Sequence, residues 1–260
     1  MKVTKILGLG AISISLMACV TNPVTGRSSL QIANNSEIAT MASQEYKTTL
    51  SKAKVITGTA DANRIKQAAE KYYTSIGRQS DLTNYNWEFN LLQDSQLNAW
   101  CMPGGKVAVY TGILPVTKDD NGLAVVMGHE ISHALAGHGN ERISQAMLAQ
   151  YGGSILGSSI NNAQWASIFQ KVYPIGAQVG LLAYGRKQEL EADKMGLYLM
   201  GMAGYDPRTA PAFWERMEAS SKGNAVPQFL STHPNPSSRI ADINEAMPQA
   251  LEYYKAAGGK

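Results

Sequence analysis

The chain has little cysteine, little histidine and little net charge for its length. Its 260 residues include two cysteines and four histidines, and the formal net charge is +3. So few cysteines exclude the disulfide frameworks of small secreted domains. So small a charge leaves no electrostatic footprint for nucleic acid. With 44% hydrophobic and 17% charged residues, the composition is that of a folded globular protein and not of a disordered or fibrous one.

The chain also lacks an apolar run of the ~20 residues that a membrane-spanning helix needs. Its most apolar segment, ILGLGAISISLMA, is shorter and follows Lys2 and Lys5. A basic start followed by a short apolar run is typical of a secretory signal. The run ends in LMAC, which resembles the lipobox of bacterial lipoproteins, so Cys19 is predicted to be the acylated first residue of the mature protein. The alternative is an ordinary signal peptide that a cysteine follows by chance.

The residues beside Cys19 indicate which membrane holds the protein. Val20 follows, whereas in known bacterial lipoproteins Asp at this position favours the inner membrane, so we expect an outer-membrane anchor facing the periplasm. Lipidation of Cys19 leaves Cys101 without a disulfide partner, and Cys101 is expected to be a small buried apolar residue. The predicted organisation is a lipoprotein signal peptide (1–18), a tether (19–35) and one folded domain (36–260).

Apolar periodicity predicts that this domain is mostly helical, with a small β-sheet. Amphipathic helices are predicted over 36–53 and 60–77, and a further helix starts at Asp119 to Asn121. The runs WEFNLLQ and KVAVYTGIL read as strands, and 151–162 as a loop or weak helix. Helical periodicity then continues from 163 to 204 with interruptions near Pro174 and Gly185, restarts after Asp206 and Pro207, and ends in a last helix after a loop. We therefore expect one α+β domain without repeats.

The segment MGHEISHAL carries two of the four histidines. In a helix, His129 and His133 lie one turn apart, ~6 Å along the axis, so both imidazoles can reach one metal ion. Glu130 lies beside them and suits a base that acts on metal-bound water. The alternative is a pair of buried histidines in a helical core.

A third metal ligand is expected because catalytic zinc sites take three protein ligands and leave one position open. The segment RKQELEADKMG supplies Glu189 and Asp193 on one helix face. Glu189 is the candidate ligand, and Asp193 is expected to hold a ligand imidazole by a hydrogen bond. Glu191 lies ~200° around the same helix and is expected to be solvated. The alternative for the whole segment is a charged, exposed helix face.

Together, HEISH and ELEAD resemble a family of zinc metallopeptidases. That family includes the CAAX prenyl protease, the mitochondrial inner-membrane stress protease and bacterial periplasmic quality-control proteases. Further matches are NAWCMPGGKVAVYTGIL, AGYDPRTAPAFWERM and STHPNPSSR, so the resemblance spans about residues 36–245. It implies a zincin-like α+β fold, in which a small sheet lies beside the active-site helix. It also implies one Zn²⁺ per chain, held by His129, His133 and Glu189, with Glu130 as the general base and Asp193 behind a ligand.

The resemblance suggests roles for three more features. His233, in the HP loop, is implied to be either a transition-state donor or a fourth, inhibitory ligand; otherwise it is an ordinary turn residue. Arg239 is expected to orient that loop or the substrate. The strand GGKVAVYTG is implied to be an edge strand beside the cleft, to which an extended peptide adds. His138 continues the motif helix and is interpreted as structural, because three protein ligands are already named.

The sequence therefore predicts a lipid-anchored periplasmic zinc endopeptidase, with residues 36–260 as its metallopeptidase domain. Its expected partners are the membrane, through the lipid on Cys19, and unfolded or misfolded envelope proteins as substrates. No nucleic acid is expected, and the sequence sets no oligomeric state. One alternative is a metal-binding holdase or assembly factor that cleaves little. Another is a purely structural lipoprotein without metal.

Overall fold

The computed structural model describes residues 19–77, 85–152, 162–173, 184–220, 227–234 and 238–260. The predicted signal peptide, most of the predicted loop at 151–162 and the interruption near Pro174 lie outside these residues. The strands are β1 (Cys19–Thr21), β2 (Ser28–Leu30), β3 (Val55–Ile56), β4 (Glu88–Leu92), β5 (Ala99–Met102) and β6 (Lys106–Tyr110). The helices are α1 (Asn35–Lys52), α2 (Ala60–Gly77), α3 (Leu114–Thr117), α4 (Asp120–Leu135), α5 (His138–Tyr151), α6 (Asn162–Val172), α7 (Arg186–Met202), α8 (Ala210–Ala219), α9 (Gln228–Thr232) and α10 (Arg239–Ala256). The predicted mostly helical α+β fold is confirmed.

Side-chain caps begin several of these helices where the sequence predicts a start. The Asp119 side chain accepts a hydrogen bond from the backbone N–H of Gly122, 2.9 Å away, and so begins α4. Asp206 caps a short 3₁₀ turn, Pro207–Thr209, that leads directly into α8. The helix predicted to start at Ser36 is instead capped by Asn34, whose side chain accepts from the backbone of Ser36. Local capping therefore determines these boundaries.

The main sheet has the strand order β3-β4-β6-β5, with β4 and β6 parallel and the other pairs antiparallel. The prediction that 104–112 is an edge strand is wrong, because β6 pairs on one side with β4 and on the other with β5. Among the described residues, the edge beside α4 is β5, where Cys101 packs against Ala134 of α4. The four residues AWCM are buried throughout and show no polar alternation, so the sequence alone did not indicate this strand. Cys101 is buried, as predicted.

The centre of the domain is the crossing of α4 and α7. Nearly every residue of α4 is buried, and the Tyr72 hydroxyl of α2 donates to the Ala124 carbonyl at 2.6 Å. Gly128 and Gly196 allow the two helix backbones to touch, since a Cβ on Gly196 would lie 2.9 Å from the backbone nitrogen of His129. This close approach places the acidic start of α7 against the histidines of α4.

The N-terminal segment predicted to be a tether, 19–35, contains the hairpin β1-β2, which stands apart from the main sheet. The loop between these strands reaches α7, where the Asn22 amide lies 3.1 Å from the Met195 sulfur. Cys19 is exposed at the start of β1. Among the described helices, none has the length and apolar character needed to cross a bilayer.

Candidate metal centre

Four buried side chains converge where α4, α7 and the end of α9 meet. They offer ligand atoms that all lie within 4.8 Å of one another: His129, His133, Glu189 and His233. The two α4 histidines are one turn apart, Glu189 is in the first turn of α7, and His233 directly follows α9. The structure thus brings the three ligands expected from the sequence together and adds the histidine of the HP loop to them.

The geometry of the donor atoms fits one small cation. The Nε2 atoms of His129 and His133 lie 3.0 Å apart. The Glu189 carboxylate lies 3.6 Å from the first of these nitrogens and 3.4 Å from the second. Because burial lowers the pKa of both histidines, their rings are neutral and keep a lone pair for a metal. Imidazole and carboxylate together form a donor set that zinc prefers.

On the side away from the ligand cluster, the His129 imidazole contacts a carboxylate, which an arginine binds in turn. The Nδ1 atom of His129 lies 2.9 Å from Asp193 Oδ1, as the sequence analysis expected. The Arg239 Nε donates to the other Asp193 oxygen at 2.7 Å, and an Arg239 Nη donates to Glu189 at 2.7 Å. With its proton on Nδ1, His129 presents a bare Nε2 to the centre.

Arg239, which the resemblance placed near the site, contacts its carboxylates and an aromatic ring. It is 1% exposed, begins α10 and lies with its guanidinium 3.8 Å from the Trp214 ring centroid. Among the described residues, its side-chain hydrogen bonds go to Asp193 and Glu189. The sequence placed Arg239 near the site, but only packing showed that it binds the carboxylates there.

Glu130 has no hydrogen-bond partner for either carboxylate oxygen among the described residues. One of these oxygens lies 3.4 Å from Nε2 of His233, which is likewise without a hydrogen bond. Burial and the negative charge of Glu189 raise the pKa of Glu130 well above its usual value. Buried acceptors without partners are costly unless a cation or ordered water satisfies them. The four ligand side chains and Glu130 thus form a buried site whose polar atoms a cation and ordered water can satisfy.

Aromatic side chains that the sequence analysis did not name cover the centre. The ring centroid of Tyr184 lies 3.8 Å from that of His133 and 4.9 Å from that of His233. Phe229 stacks on His233 at 4.5 Å. The Tyr184 backbone N–H donates to the Thr232 carbonyl at 2.9 Å and so joins the start of α7 to the HP loop. No local sequence pattern indicated this cover, because its parts come from separate segments.

The His133 imidazole is also supported on the side away from the ligand cluster, by His138 and Glu191. Its Nδ1 lies 2.8 Å from Nδ1 of His138, and the other nitrogen of His138 lies 2.9 Å from Glu191. The expectation that Glu191 is solvated is wrong, because the N-terminal segment covers that side of α7 and Arg27 forms a salt bridge with Glu191. Burial by itself would raise the pKa of Glu191, but hydrogen bonds from His138, Thr25 and Arg27 lower it below its usual value.

His138 does not continue the motif helix, contrary to the sequence-based expectation. α4 ends at Leu135, and Gly137, with φ of 69°, makes a left-handed turn before α5 begins at His138. A side chain at Gly137 would also meet Gln31 at 2.6 Å. The turn brings His138 back onto His133, but His138 lies outside the four-ligand cluster.

Comparison with known proteins agrees with this geometry. The model of peptidase family M48 matches residues 59–247. The chain is 38% identical over 173 residues to the mitochondrial metalloendopeptidase OMA1 of Schizosaccharomyces pombe, covering 66% of this chain and 50% of that one. It is 30% identical over 247 residues to the human mitochondrial metalloendopeptidase OMA1, covering 89% of this chain and 46% of that one.

A bacterial relative is the beta-barrel assembly-enhancing protease of Yersinia pestis. The identity is 30% over 179 residues, which cover 66% of this chain and 36% of the relative. The chain thus spans half or less of the length of these three relatives. The matched region contains both α4 and α7, with their histidines and carboxylates. The resemblance read from HEISH and ELEAD is confirmed, and the chain belongs to peptidase family M48.

Proposed function

We propose that the protein is a zinc endopeptidase that hydrolyses peptide bonds in unfolded or misfolded envelope proteins. The observation that carries this proposal is the buried ligand cluster with the unpartnered carboxylate of Glu130 beside it. His129, His133 and Glu189 would hold the ion. When bound, zinc polarises a scissile carbonyl and lowers the pKa of a water ligand.

The chain's own groups supply the proton transfers. Glu130, with its raised pKa, suits a general base that removes a proton from the attacking water and returns it to the leaving amine. Asp193 and Arg239 keep the first ligand ring and Glu189 in place during these steps. Tyr184 and Phe229 shield the centre from bulk water, which strengthens its electrostatic interactions.

A substrate that adds to β5 fits this site. Among the described residues, β5 pairs on one side only, with β6, and packs against α4 through Cys101. An extended peptide added to the other side would run along the helix that carries Glu130. Such pairing recognises main-chain groups more than side chains, and this supports an unfolded chain as substrate.

We also propose that the protein is anchored to the outer membrane by lipid on Cys19 and faces the periplasm. The support is the LMAC sequence and the exposed position of Cys19. The relative from Yersinia pestis, the beta-barrel assembly-enhancing protease, supports substrates among outer-membrane proteins.

A second candidate function is a metal-binding holdase that cleaves little. The observation that favours it is the burial of all four ligand side chains and of Glu130 beneath Tyr184 and Phe229. A centre closed in this way must open before a peptide reaches it. The two functions share the metal and differ only in turnover.

The experiment combines zinc analysis with proteolysis. Purified wild type is expected to contain one zinc per chain and to cleave an unfolded casein substrate, with cleavage lost on chelation. Glu130→Gln is expected to retain zinc and lose ~10²-fold or more of the rate. A wild type with zinc but no cleavage would favour the holdase, and a wild type without zinc would overturn both functions. Full cleavage by the Gln variant would remove Glu130 from the role of base.

A further inference from the structure

His133, a predicted metal ligand, contacts His138, which is not one of the four ligand side chains. Their Nδ1 atoms lie 2.8 Å apart, and both side chains are buried. On one continuous helix, residues five apart point in directions ~140° from each other. The left-handed turn at Gly137 removes this divergence. The break between α4 and α5 at Gly137 therefore brings these two rings together.

The neighbours of the two rings, a metal at His133 and the Glu191 carboxylate at His138, determine which nitrogen of each ring donates a hydrogen bond. A metal bound at Nε2 of His133 requires a bare nitrogen there, so Nδ1 carries the proton and donates it to His138. The Glu191 carboxylate can only accept, and it lies 2.9 Å from Nε2 of His138. His138 therefore donates at Nε2 and accepts at Nδ1. His133 and Glu191 thus favour the same tautomer of His138. In that tautomer His138 accepts the hydrogen bond from Nδ1–H of His133, so Nε2 of His133 stays free for the ion.

Glu191 is in turn held by the N-terminal segment. The Thr25 hydroxyl donates to one carboxylate oxygen and the Arg27 Nε to the other. The two terminal nitrogens of Arg27 donate to Glu141 at 2.9 and 2.8 Å. Glu141 also accepts from Gln188 of α7 at 2.7 Å. One guanidinium thus joins α5 and α7 behind the second ligand ring.

The loop that carries Arg27 has its own supports. The Asn22 side-chain oxygen accepts from the backbone N–H of Val24 at 2.9 Å, and its backbone N–H donates to the Arg27 carbonyl at 2.9 Å. These bonds close the turn between β1 and β2. Arg27 is therefore presented to Glu191 by a formed hairpin and does not depend on a chance surface contact.

We infer that Arg27, acting through Glu191 and His138, positions the second ligand imidazole of the metal centre. This inference rests on the proposed zinc site. The first ligand imidazole has the corresponding support from Asp193 and Arg239. Each ring is thus supported by a carboxylate of α7, directly for His129 and through His138 for His133, and each carboxylate is bound by an arginine from another segment. For the second ring, that segment is the one that begins with Cys19.

The test measures the zinc affinity of the full chain by competition with a chromogenic chelator. Three variants interrupt or preserve the chain of bonds: Arg27→Gln, His138→Phe and His138→Asn. The Asn side-chain oxygen takes the place of Nδ1 as an acceptor, whereas Phe offers none. The matched control is Arg64→Gln, because Arg64 also bridges two carboxylates, Asp61 and Asp120, away from the ligand cluster. Circular dichroism and thermal unfolding of the zinc-free proteins report folding separately.

Arg27→Gln and His138→Phe are each expected to weaken zinc binding by about 10-fold or more, the range seen for partners behind a metal ligand. His138→Asn keeps an acceptor for His133 but loses the bond to Glu191, so it is expected to recover only part of the loss seen in His138→Phe, whereas Arg64→Gln is expected to bind as wild type does. The double variant Arg27→Gln with His138→Phe is expected to bind no more weakly than the weaker single variant, because both break one chain of bonds.

Other outcomes overturn the inference. Unchanged zinc affinity in Arg27→Gln and His138→Phe, with wild type binding zinc, removes the positioning role and leaves the zinc site standing. Equal losses in His138→Phe and His138→Asn reduce His138 to a packing residue. A wild type that binds no zinc overturns the zinc site and this inference together.

Discussion

Glu130 and His233 face each other across the ligand cluster, with 3.4 Å between the carboxylate Oε1 and the imidazole Nε2. The other ring nitrogen of His233 lies 2.9 Å from the Thr232 hydroxyl, which can donate or accept, and 3.3 Å from the Phe229 carbonyl, which can only accept. A proton on Nδ1 satisfies the Phe229 carbonyl and leaves Nε2 bare, and burial keeps the ring neutral by lowering its pKa well below the usual value. Nε2 makes no hydrogen bond among the described residues, and we propose that it acts as a ligand in this closed arrangement, which is the inhibitory one of the two roles implied by the resemblance.

Replacing His233 is therefore expected to raise the proteolytic rate, because it removes an inhibitory ligand. His233→Ala should retain zinc, because three ligands remain, and should raise the cleavage of unfolded casein by roughly tenfold, a change of ~1.4 kcal/mol. Zinc content and the initial cleavage rate measure the two effects. A lower rate with unchanged zinc would instead make His233 a donor to the transition state.

The Glu130 carboxylate is expected to destabilise the zinc-free fold at neutral pH. Its folded pKa lies well above the unfolded value of 4.5, so the folded state binds the proton more tightly. Stability from this group is fully present below pH 4.5 and is lost as the pH rises through the folded pKa. Zinc-free Glu130→Gln should thus melt at a higher temperature than zinc-free wild type at pH 8.

The same comparison at about pH 4.5 provides the control, since the carboxyl is protonated in the folded wild type there. The two melting temperatures should then approach each other. A difference that stays constant between the two pH values would show that the titration of Glu130 is not its cause.

Asp193→Asn is expected to weaken zinc binding by about 10-fold to 100-fold. The change removes a charge that both His129 and Arg239 contact, and leaves the Arg239 guanidinium with Glu189 alone. Chelator competition measures the loss. Asp206→Asn is the matched control, because Asp206 also pairs with an arginine, Arg208, but near the surface. Equal zinc affinity in the two variants would contradict the role of Asp193.

Gly196→Ala is expected to separate α4 from α7. Its Cβ would lie 2.9 Å from the backbone of Gly128 and His129, and overpacking of this kind costs ~1–3 kcal/mol. Urea unfolding should show this loss, and zinc affinity should fall with it because the ligands of the two helices move apart. Gly77→Ala, where a Cβ meets no described residue within 4 Å, serves as the control. Wild-type stability in Gly196→Ala would show that the crossing tolerates a methyl group.

Local spacing determined the parts of the site that belong to one helix. His129 and His133 on α4, and Glu189 and Asp193 on α7, are pairs four residues apart, so helical geometry alone places each pair on one face. The helix starts at Asp119 and Asp206 are also local, because a cap bonds backbone groups two or three residues away.

Tertiary structure decided the supports of the site. Glu191 was expected in solvent because its helix face is opposite to Glu189, and only the packing of the N-terminal segment buries it against Arg27. Arg27 is 164 residues away from Glu191 in the sequence, and no periodicity links the two. The order of the sheet, with β5 and not β6 at the edge beside α4, was likewise a matter of long-range pairing.

The sequence by itself thus determined the family, the mostly helical fold and the paired ligands, since these follow from short-range spacing and from motifs. Only the tertiary structure decided how each ligand ring is held, what covers the centre and which strand lies at the edge of the main sheet beside α4. These features depend on contacts between segments that are distant in the chain, and such contacts leave no local pattern in one sequence.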